Sequence, residues 1–425
     1  MLFRSHMPFA VLFLDFDRFK LINDSMGHMV GDQLLIEIAN RLQTSVRPGD
    51  TVARLGGDEF TILLDDLNCP DEAEVVAKRL LRELALPFKF LSHDVYITAS
   101  IGIALSTERY EQPEELLRDA DTAMYRAKAL GKARYEIFEK TMHTAAVNQL
   151  RIETDLRQAI ERKELSLDYQ PIVCLGSGKI MGFEALLRWQ HPSRGAISPQ
   201  EFIAVAEETG LIVPIGQWVL EQACKRIGSW QERHQLHSLY VSVNLSAKQF
   251  LQLDLVDHVQ GALARADLSP ANLKVEITES TVMENVDGAI AMLRRLRDLG
   301  IETSIDDFGT GYSSLSYLHR FPIAMLKVDR SFVSSMSDNN ENLEIVRTII
   351  MLAKNLKIQV VAEGIETGEQ LEKLTAMKCD YGQGHFFSRA LSADGAERLL
   401  SINSAYEIPD ESPTELVGYE STLIA

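Results

Sequence analysis

Two adjacent carboxylates, Asp306 and Asp307, lie in the stretch Ile301 to Leu315 (IETSIDDFGTGYSSL), between a strand-forming run and the turn Phe308-Gly309-Thr310-Gly311. Side by side, two anions repel and cost free energy unless a cation neutralises them. Hard divalent cations such as Mg²⁺ or Mn²⁺ take carboxylate oxygens, so the pair reads as part of a metal site. Polar residues recur at comparable points along the same half of the chain: Gln170, Glu184, Asn244, Glu276, Asp306, Lys327, Glu363 and Gln383. Taken singly, each would be an ordinary capping or loop residue. As a series dominated by acids and amides, they suit metal ligation.

Strands must carry such a series. Apolar runs predict strands at Leu165–Tyr169, Ile180–Leu187, Tyr240–Asn244, Leu273–Ile277, Glu302–Ile305, Met325–Val328, Gln359–Ala362 and a short one near His385–Phe387. Helical patterns fill most of the gaps, at 198–209, 214–234, 246–266, 287–299, 313–319, 342–356, 368–377 and 393–401. Eight strands with intervening helices predict a (β/α)8 TIM-type barrel, whose active sites are built at the carboxyl ends of the strands. Most of the polar series falls there. Gln383 does not, because it precedes the expected last strand.

The first half has a different plan. A buried strand, Phe9 to Leu14, ends at Asp15-Phe16-Asp17, and an amphipathic helix follows over 30–42. Thr51–Leu55 and Glu59–Leu64 form a hairpin about Gly56-Gly57, which supplies the positive φ of a tight turn. A helix over 71–84, a strand over 96–104 and a helix over 113–130 complete a βαββαβ order, which predicts a ferredoxin-like sheet. Acids cluster after the first strand and at the hairpin.

These residues resemble the GGDEF family of diguanylate cyclases. The resemblance is carried by Leu14-Asp15-Phe16-Asp17-Arg18-Phe19-Lys20, Ile22-Asn23-Asp24, Gly27-His28, Gly31-Asp32 and Arg54-Leu55-Gly56-Gly57-Asp58-Glu59-Phe60. It implies a palm-type cyclase fold that condenses two GTP into cyclic di-GMP. Asp15 and Asp58 would hold metal with Glu59 close by, Asn23 and Asp32 would recognise guanine, and Lys128 would reach phosphate. Arg47-Pro-Gly-Asp50 matches the family's Arg-x-x-Asp inhibitory site, at which Arg47 and Asp50 would grip cyclic di-GMP. Two departures stand out. The family's opening Asp-x-Leu-Thr segment and first helix have no counterpart ahead of Pro8, so the domain is expected to be truncated at its N-terminus. Lys132 stands where arginine is usual.

Gly182-Phe183-Glu184-Ala185-Leu186-Leu187-Arg188-Trp189 resembles the signature of the EAL family of cyclic di-GMP phosphodiesterases. Tyr169-Gln170-Pro171-Ile172, Ser242-Val243-Asn244-Leu245-Ser246, Glu276-Ile277-Thr278-Glu279, the Asp306-Asp307 turn, Leu326-Lys327-Val328-Asp329, Ala362-Glu363-Gly364-Ile365-Glu366 and Gln383-Gly384 extend the likeness over residues 150–400. The resemblance implies two Mg²⁺ or Mn²⁺ ions. Glu184, Asn244, Glu276 and Asp306 would hold one; Asp306, Asp307 and Glu363 the other. Lys327, with a pKa lowered by the cations, would orient the attacking water, Glu279 would steady the loop of Asp306 and Asp307, and Gln170, Arg188 and Gln383 would contact substrate. The product would be linear pGpG. His385 for an aromatic and Ala390 for a proline are departures that touch no ligand position.

Residues 1–140 are thus expected to form the cyclase-like domain, 141–162 a helical linker within a helix running from Glu139 to Arg162, 163–405 the barrel and 406–425 a disordered acidic tail. Leu150, Leu156 and Ile160 give the linker a partial apolar stripe. A net charge of −18 disfavours a binder of nucleic-acid polymers. The four cysteines, Cys69, Cys174, Cys224 and Cys379, form no Cys-x-x-Cys pair, which fits a reducing cytoplasm rather than a disulfide framework. The apolar run at Pro8–Leu14 is too short to span a bilayer. The functional expectation is a phosphodiesterase whose first domain, binding GTP or cyclic di-GMP, regulates it. The alternatives are a bifunctional enzyme that also makes cyclic di-GMP, and a non-catalytic cyclic di-GMP sensor. A homodimer is expected from the family resemblance.

Overall fold

A computed structural model describes residues 8–90, 93–106, 110, 112–310, 318–336, 340–402 and 406. The chain divides into two compact units, Met1–Arg151 and Ile152–Ala425. The expected tail lies outside the described residues apart from Tyr406, as do the segment ahead of Pro8 and most of the expected helix 313–319. Among the described residues, no helix is long and apolar enough to cross a membrane.

In the first unit the strands are β1 (Ala10–Asp17), β2 (Thr51–Gly56), β3 (Glu59–Leu64), the small hairpin β4 (Phe88–Phe90) and β5 (His93–Val95), β6 (Thr98–Leu105) and β7 (Tyr135–Ile137). The sheet order is β2-β3-β1-β6-β7. Its first four strands have the ferredoxin-like arrangement, and β7 adds a parallel edge beside β6. β1 is central and apolar on both faces. Ala10, Leu12, Leu14 and Phe16 pack with helices α2 (His28–Ser45) and α3 (Asp71–Leu84), whereas Phe9, Val11 and Phe13 pack with α4 (Pro113–Ala129). A strand covered on both sides reads as a continuous apolar run, which is why it was legible.

Three expectations are adjusted here. β1 continues through Asp17, so Asp15 is within the strand and pairs with Glu59 on β3. A separate helix α1 (Phe19–Met26) precedes α2. α5 (Lys140–Ala159) buries Met142, Ile152, Leu156 and Ala159, while Leu150, expected in its apolar stripe, is exposed.

In the second unit β8 (Leu165–Cys174), β9 (Ile180–His191), β11 (Tyr240–Asn244), β12 (Leu273–Thr278), β13 (Glu302–Phe308), β14 (Met325–Val328), β15 (Gln359–Ala362) and β16 (Tyr381–Gly382) close an eight-stranded barrel. Two short strands, β10 (Gly195–Ile197) and β17 (Leu391–Ser392), pair on its rim with β9 and β8. Seven barrel strands are parallel, but β8 runs antiparallel to both its neighbours. The cause is local. Only the turn 175–179 joins β8 to β9, and a connection that short returns the chain antiparallel, since a parallel crossover needs a dozen or more residues.

The strand expected near His385–Phe387 is instead Tyr381–Gly382, and His385–Phe387 form a turn closed by N–H donation from Phe387 to the Gly384 carbonyl (3.1 Å). Gln383 therefore follows its strand directly, as Glu363 follows β15, while the other six residues of the series lie within their strands. The expected helix 246–266 is broken into α8 (Ala247–Phe250) and α9 (Leu255–Ala266). Tyr406 donates its N–H to the Gly178 carbonyl (2.7 Å) and packs its ring edge-on against Phe387.

Candidate active site

Parallel pairing sets neighbouring side chains side by side. Asn244 pairs with Glu276, and Glu276 with Ser304, so one face of three strands carries an amide, an acid and a hydroxyl at one level. Ser242 pairs with Glu184 on the other side. The antiparallel β8 brings Gln170 opposite Glu184.

Lys327, 1% exposed on β14, is the centre of this ring. Its ammonium lies 2.6 Å from Glu363, 2.7 Å from Glu276 and 3.3 Å from both Glu184 and Asp306. Burial pulls its pKa down, but Asp306, Glu184, Glu276 and Glu363 outweigh that and hold it well above the ordinary lysine value. The lowered pKa expected from nearby cations is therefore not a property of the protein groups themselves: four carboxylates act in the opposite direction.

Glu184 is pinned from three sides. Asn244 Nδ2 donates to its Oε1 (2.6 Å), Gln383 Nε2 to its Oε2 (2.7 Å), and Lys327 adds its charge. Burial pushes this carboxyl up, yet Lys327, Gln383 and Asn244 prevail and leave it below the usual range. Glu276 differs: burial, joined by the charges of Glu184 and Asp306, pushes it well above the usual range despite Lys327. Burial likewise pushes Glu363 up to about 8 against the pull of Lys327.

Asp306 and Asp307 share a β-bulge. The register between β13 and β14 shifts between Ile305 and Phe308. Asp307 adopts φ 53°, and Thr310 closes the turn by donating both its N–H and its hydroxyl to the Asp307 carbonyl. Adjacent residues of a regular strand point to opposite faces, so the bulge lets both acids serve one site. Oxygens of Asp306, Asp307 and Glu363 all lie within 4.8 Å of one another, a group able to hold a metal ion. Burial raises the Asp307 carboxyl, with Asp306 and Asp329 adding to it. Glu279 accepts the Gly309 N–H (3.1 Å) just beyond the bulge.

Five carboxylates thus face one ammonium. The upward shifts of Glu276, Glu363 and Asp307 mark a cluster short of positive charge, and its all-oxygen donor set suits a hard divalent cation.

Gln170 and Gln383 are joined to each other: Gln383 Nε2 also donates to Gln170 Oε1 (3.0 Å), and Gln170 Nε2 donates to the Ser388 carbonyl (3.2 Å). Arg188 pairs with Asp168 (2.8 Å). A cavity of about 470 Å³ opens beside Arg188 and Asn244, walled by Leu186, Ile203, Ile212 and Val219, with Glu207 as its acid. Asp168 and Ser242 were not singled out from the sequence. Each stands two residues before a singled-out one (Gln170, Asn244), the spacing that puts strand side chains on one face.

In the first unit, Lys128 meets Asp15 at 2.8 Å. Burial raises Asp15, Lys128 opposes it, and Asp58 and Glu59 add to the rise. Asp15, Asp58 and Glu59 do not form a group as close as that in the barrel, judged over the described residues. Asn23 lies on α1 with its side chain over Gly31, and Asp32 is exposed on α2. Arg47 and Asp50 are together: Asp50 accepts the Arg47 N–H (3.1 Å), and their side chains approach to 3.5 Å. The Arg47 guanidinium turns onto the carbonyls of Asp65 and Asp66.

Family models match both halves: the EAL domain over residues 153–390, and the diguanylate cyclase GGDEF domain over residues 2–134. Among curated proteins, the chain is 45% identical over 94% of its length to a bifunctional diguanylate cyclase/cyclic di-GMP phosphodiesterase, MucR, of Pseudomonas aeruginosa, covering 57% of that protein. It is 42% identical over 92% of its length to the cyclic di-GMP phosphodiesterase NbdA of the same organism, covering 50% of it. The chain thus spans about half the length of these relatives. A solved PaMucR phosphodiesterase in complex with c-di-GMP matches 57% of this chain and 98% of that one, at 45% identity and a TM-score of 0.56.

Proposed function

We propose a function from the premise that this chain belongs to the EAL domain family and carries a GGDEF domain ahead of it: it hydrolyses cyclic di-GMP to linear pGpG. The observation that carries the reading is the convergence of Glu184, Glu276, Asp306 and Glu363 on Lys327, with Asp307 brought in by the bulge.

Glu184, Asn244, Glu276 and Asp306 would hold one Mg²⁺ or Mn²⁺, and Asp306, Asp307 and Glu363 the second. Bound there, the cations would supply Lewis-acid stabilisation of the charge that builds on a phosphodiester oxygen. The chain's own groups do the rest. Arg188 exchanges Asp168 for a substrate phosphate, since guanidinium binds either oxyanion through the same donors. Lys327 donates a hydrogen bond to the attacking water, and Glu279 holds the Asp306–Asp307 turn through Gly309. The Gln170–Gln383 relay and Asn244 keep Glu184 in one rotamer. The apolar cavity beside Arg188 has the size and lining to receive a purine ring.

Incubation of the pure chain with cyclic di-GMP and Mn²⁺ or Mg²⁺ tests this: pGpG is expected, and a folded protein that makes none overturns it. Tight binding without turnover would identify a sensor instead. A second reading, bifunctionality, is favoured by the Lys128–Asp15 contact and by the pairing of Asp15 with Glu59. It requires a Glu184→Ala variant to make cyclic di-GMP from GTP. Otherwise the first domain regulates, with GTP or cyclic di-GMP as its ligand. The unpaired cysteines support a cytoplasmic setting. Homodimerisation, carried by the family resemblance, is tested by solution sizing.

A further inference from the structure

Glu276 is the most enclosed acid of the site, at 1% exposure, and each of its oxygens has one donor. Lys327 reaches Oε2 at 2.7 Å, and the hydroxyl of Ser242 reaches Oε1 at 2.5 Å. Ser242 is itself buried, two residues before Asn244 on β11, so its side chain shares the interior face one level down. From there it bridges diagonally to the neighbouring strand. On the opposite flank of Glu276 stands Ser304, directly paired with it on β13 and equally buried. The Ser304 hydroxyl has no hydrogen-bond partner among the described residues. Two buried serines, one a level below Glu276 and one beside it, thus flank the same acid, and only Ser242 holds it.

We infer that Ser242 is a positioning residue that fixes the Glu276 carboxylate for cation binding. The inference rests on the reading of Glu276 as a ligand of a divalent cation. Without the Ser242 hydroxyl, Glu276 is held by Lys327 through one oxygen only, so its carboxylate is less firmly oriented, and its bare oxygen has lost its compensation for leaving water. Groups that orient a ligand in this way typically contribute 10–100-fold to metal affinity. Ser242 does not touch substrate, so its effect is on cation affinity and not on substrate KM.

The test is calorimetric titration of Mn²⁺ into the full chain without substrate, repeated for Ser242→Ala, Ser242→Thr and Ser304→Ala. Ser242→Ala should weaken Mn²⁺ binding about 10-fold or more. Ser242→Thr, which keeps the hydroxyl, and Ser304→Ala should bind as the parent does. At saturating Mn²⁺, the KM for cyclic di-GMP of Ser242→Ala should equal that of the parent. Should Ser242→Ala fail to fold, Ser242→Cys, close in size but a weak donor, carries the same expectation. Parental affinity in Ser242→Ala overturns the inference, as does equal weakening in Ser304→Ala, which would mark a packing effect. A parent chain that binds no Mn²⁺ overturns the metal reading itself, and the inference with it.

Discussion

Asp307 follows Asp306 directly, yet both carboxylates reach one cluster, because Asp307 sits at φ 53° within a bulge of β13. Their surroundings are unequal. Asp306 lies 3.3 Å from Lys327, whereas Asp307 is exposed as a residue and only its carboxyl is partly desolvated, which raises it, with Asp306 and Asp329 adding to the rise. Because the two proposed ligand sets share Asp306, Asp306→Asn should lose both cations. Asp307→Asn should retain about one of roughly two equivalents of Mn²⁺, and still lose about 100-fold in turnover. Metal analysis after desalting, together with pGpG release, checks the asymmetry.

Lys327 is the one protein cation in contact with Glu184, Glu276, Asp306 and Glu363 among the described residues. Lys327→Met should destabilise the metal-free chain by about 3–5 kcal/mol, because buried charges lose their partner. Added Mn²⁺ should narrow the gap by supplying the missing charge, without restoring hydrolysis. Urea denaturation in EDTA and in Mn²⁺ measures both parts.

Gly182 opens the Gly-Phe-Glu-Ala-Leu run for a steric reason. A Cβ there would come within 2.6 Å of the Tyr240 ring and 2.7 Å of the Tyr240 carbonyl. Gly182→Ala should cost about 3 kcal/mol, the upper part of the overpacking range. Adding Tyr240→Leu should recover only the ring's share, since the backbone contact persists. Equilibrium unfolding of the single and double variants decides it.

Arg188 lines the cavity and pairs with Asp168. Arg188→Ala should raise the KM for cyclic di-GMP about 10–100-fold, the worth of a charge-assisted hydrogen bond of roughly 1.5–3 kcal/mol. Arg188→Lys should recover only part, because an ammonium cannot make the paired contacts of a guanidinium. Steady-state kinetics at saturating metal separate this KM effect from any loss in kcat.

Much was legible from the chain because period and punctuation are local. The central strand β1 and the strands β11, β14 and β15 follow from apolar runs bounded by turns. The polar residues in or at the edge of each run, from Glu184 to Glu363, name the site's members, since they interrupt the same local apolar pattern. Gln383 was misplaced relative to its strand because Tyr381–Gly382 is only two residues long, and the apolar Phe386-Phe387 pair nearby is a stronger strand signal than the strand itself.

Other features depended on the barrel closing. The antiparallel course of β8 sets Gln170 against Glu184, and a register between strands is not written in either strand alone. The grip of Ser242 on Glu276 and the pairing of Arg188 with Asp168 are diagonal contacts between neighbouring strands. The sequence by itself determined which side chains exist to bind a cation and which elements carry them. Tertiary structure decided how their oxygens share one lysine and one bulge, because distances between strands arise only when backbone pairing fixes every strand's register at once.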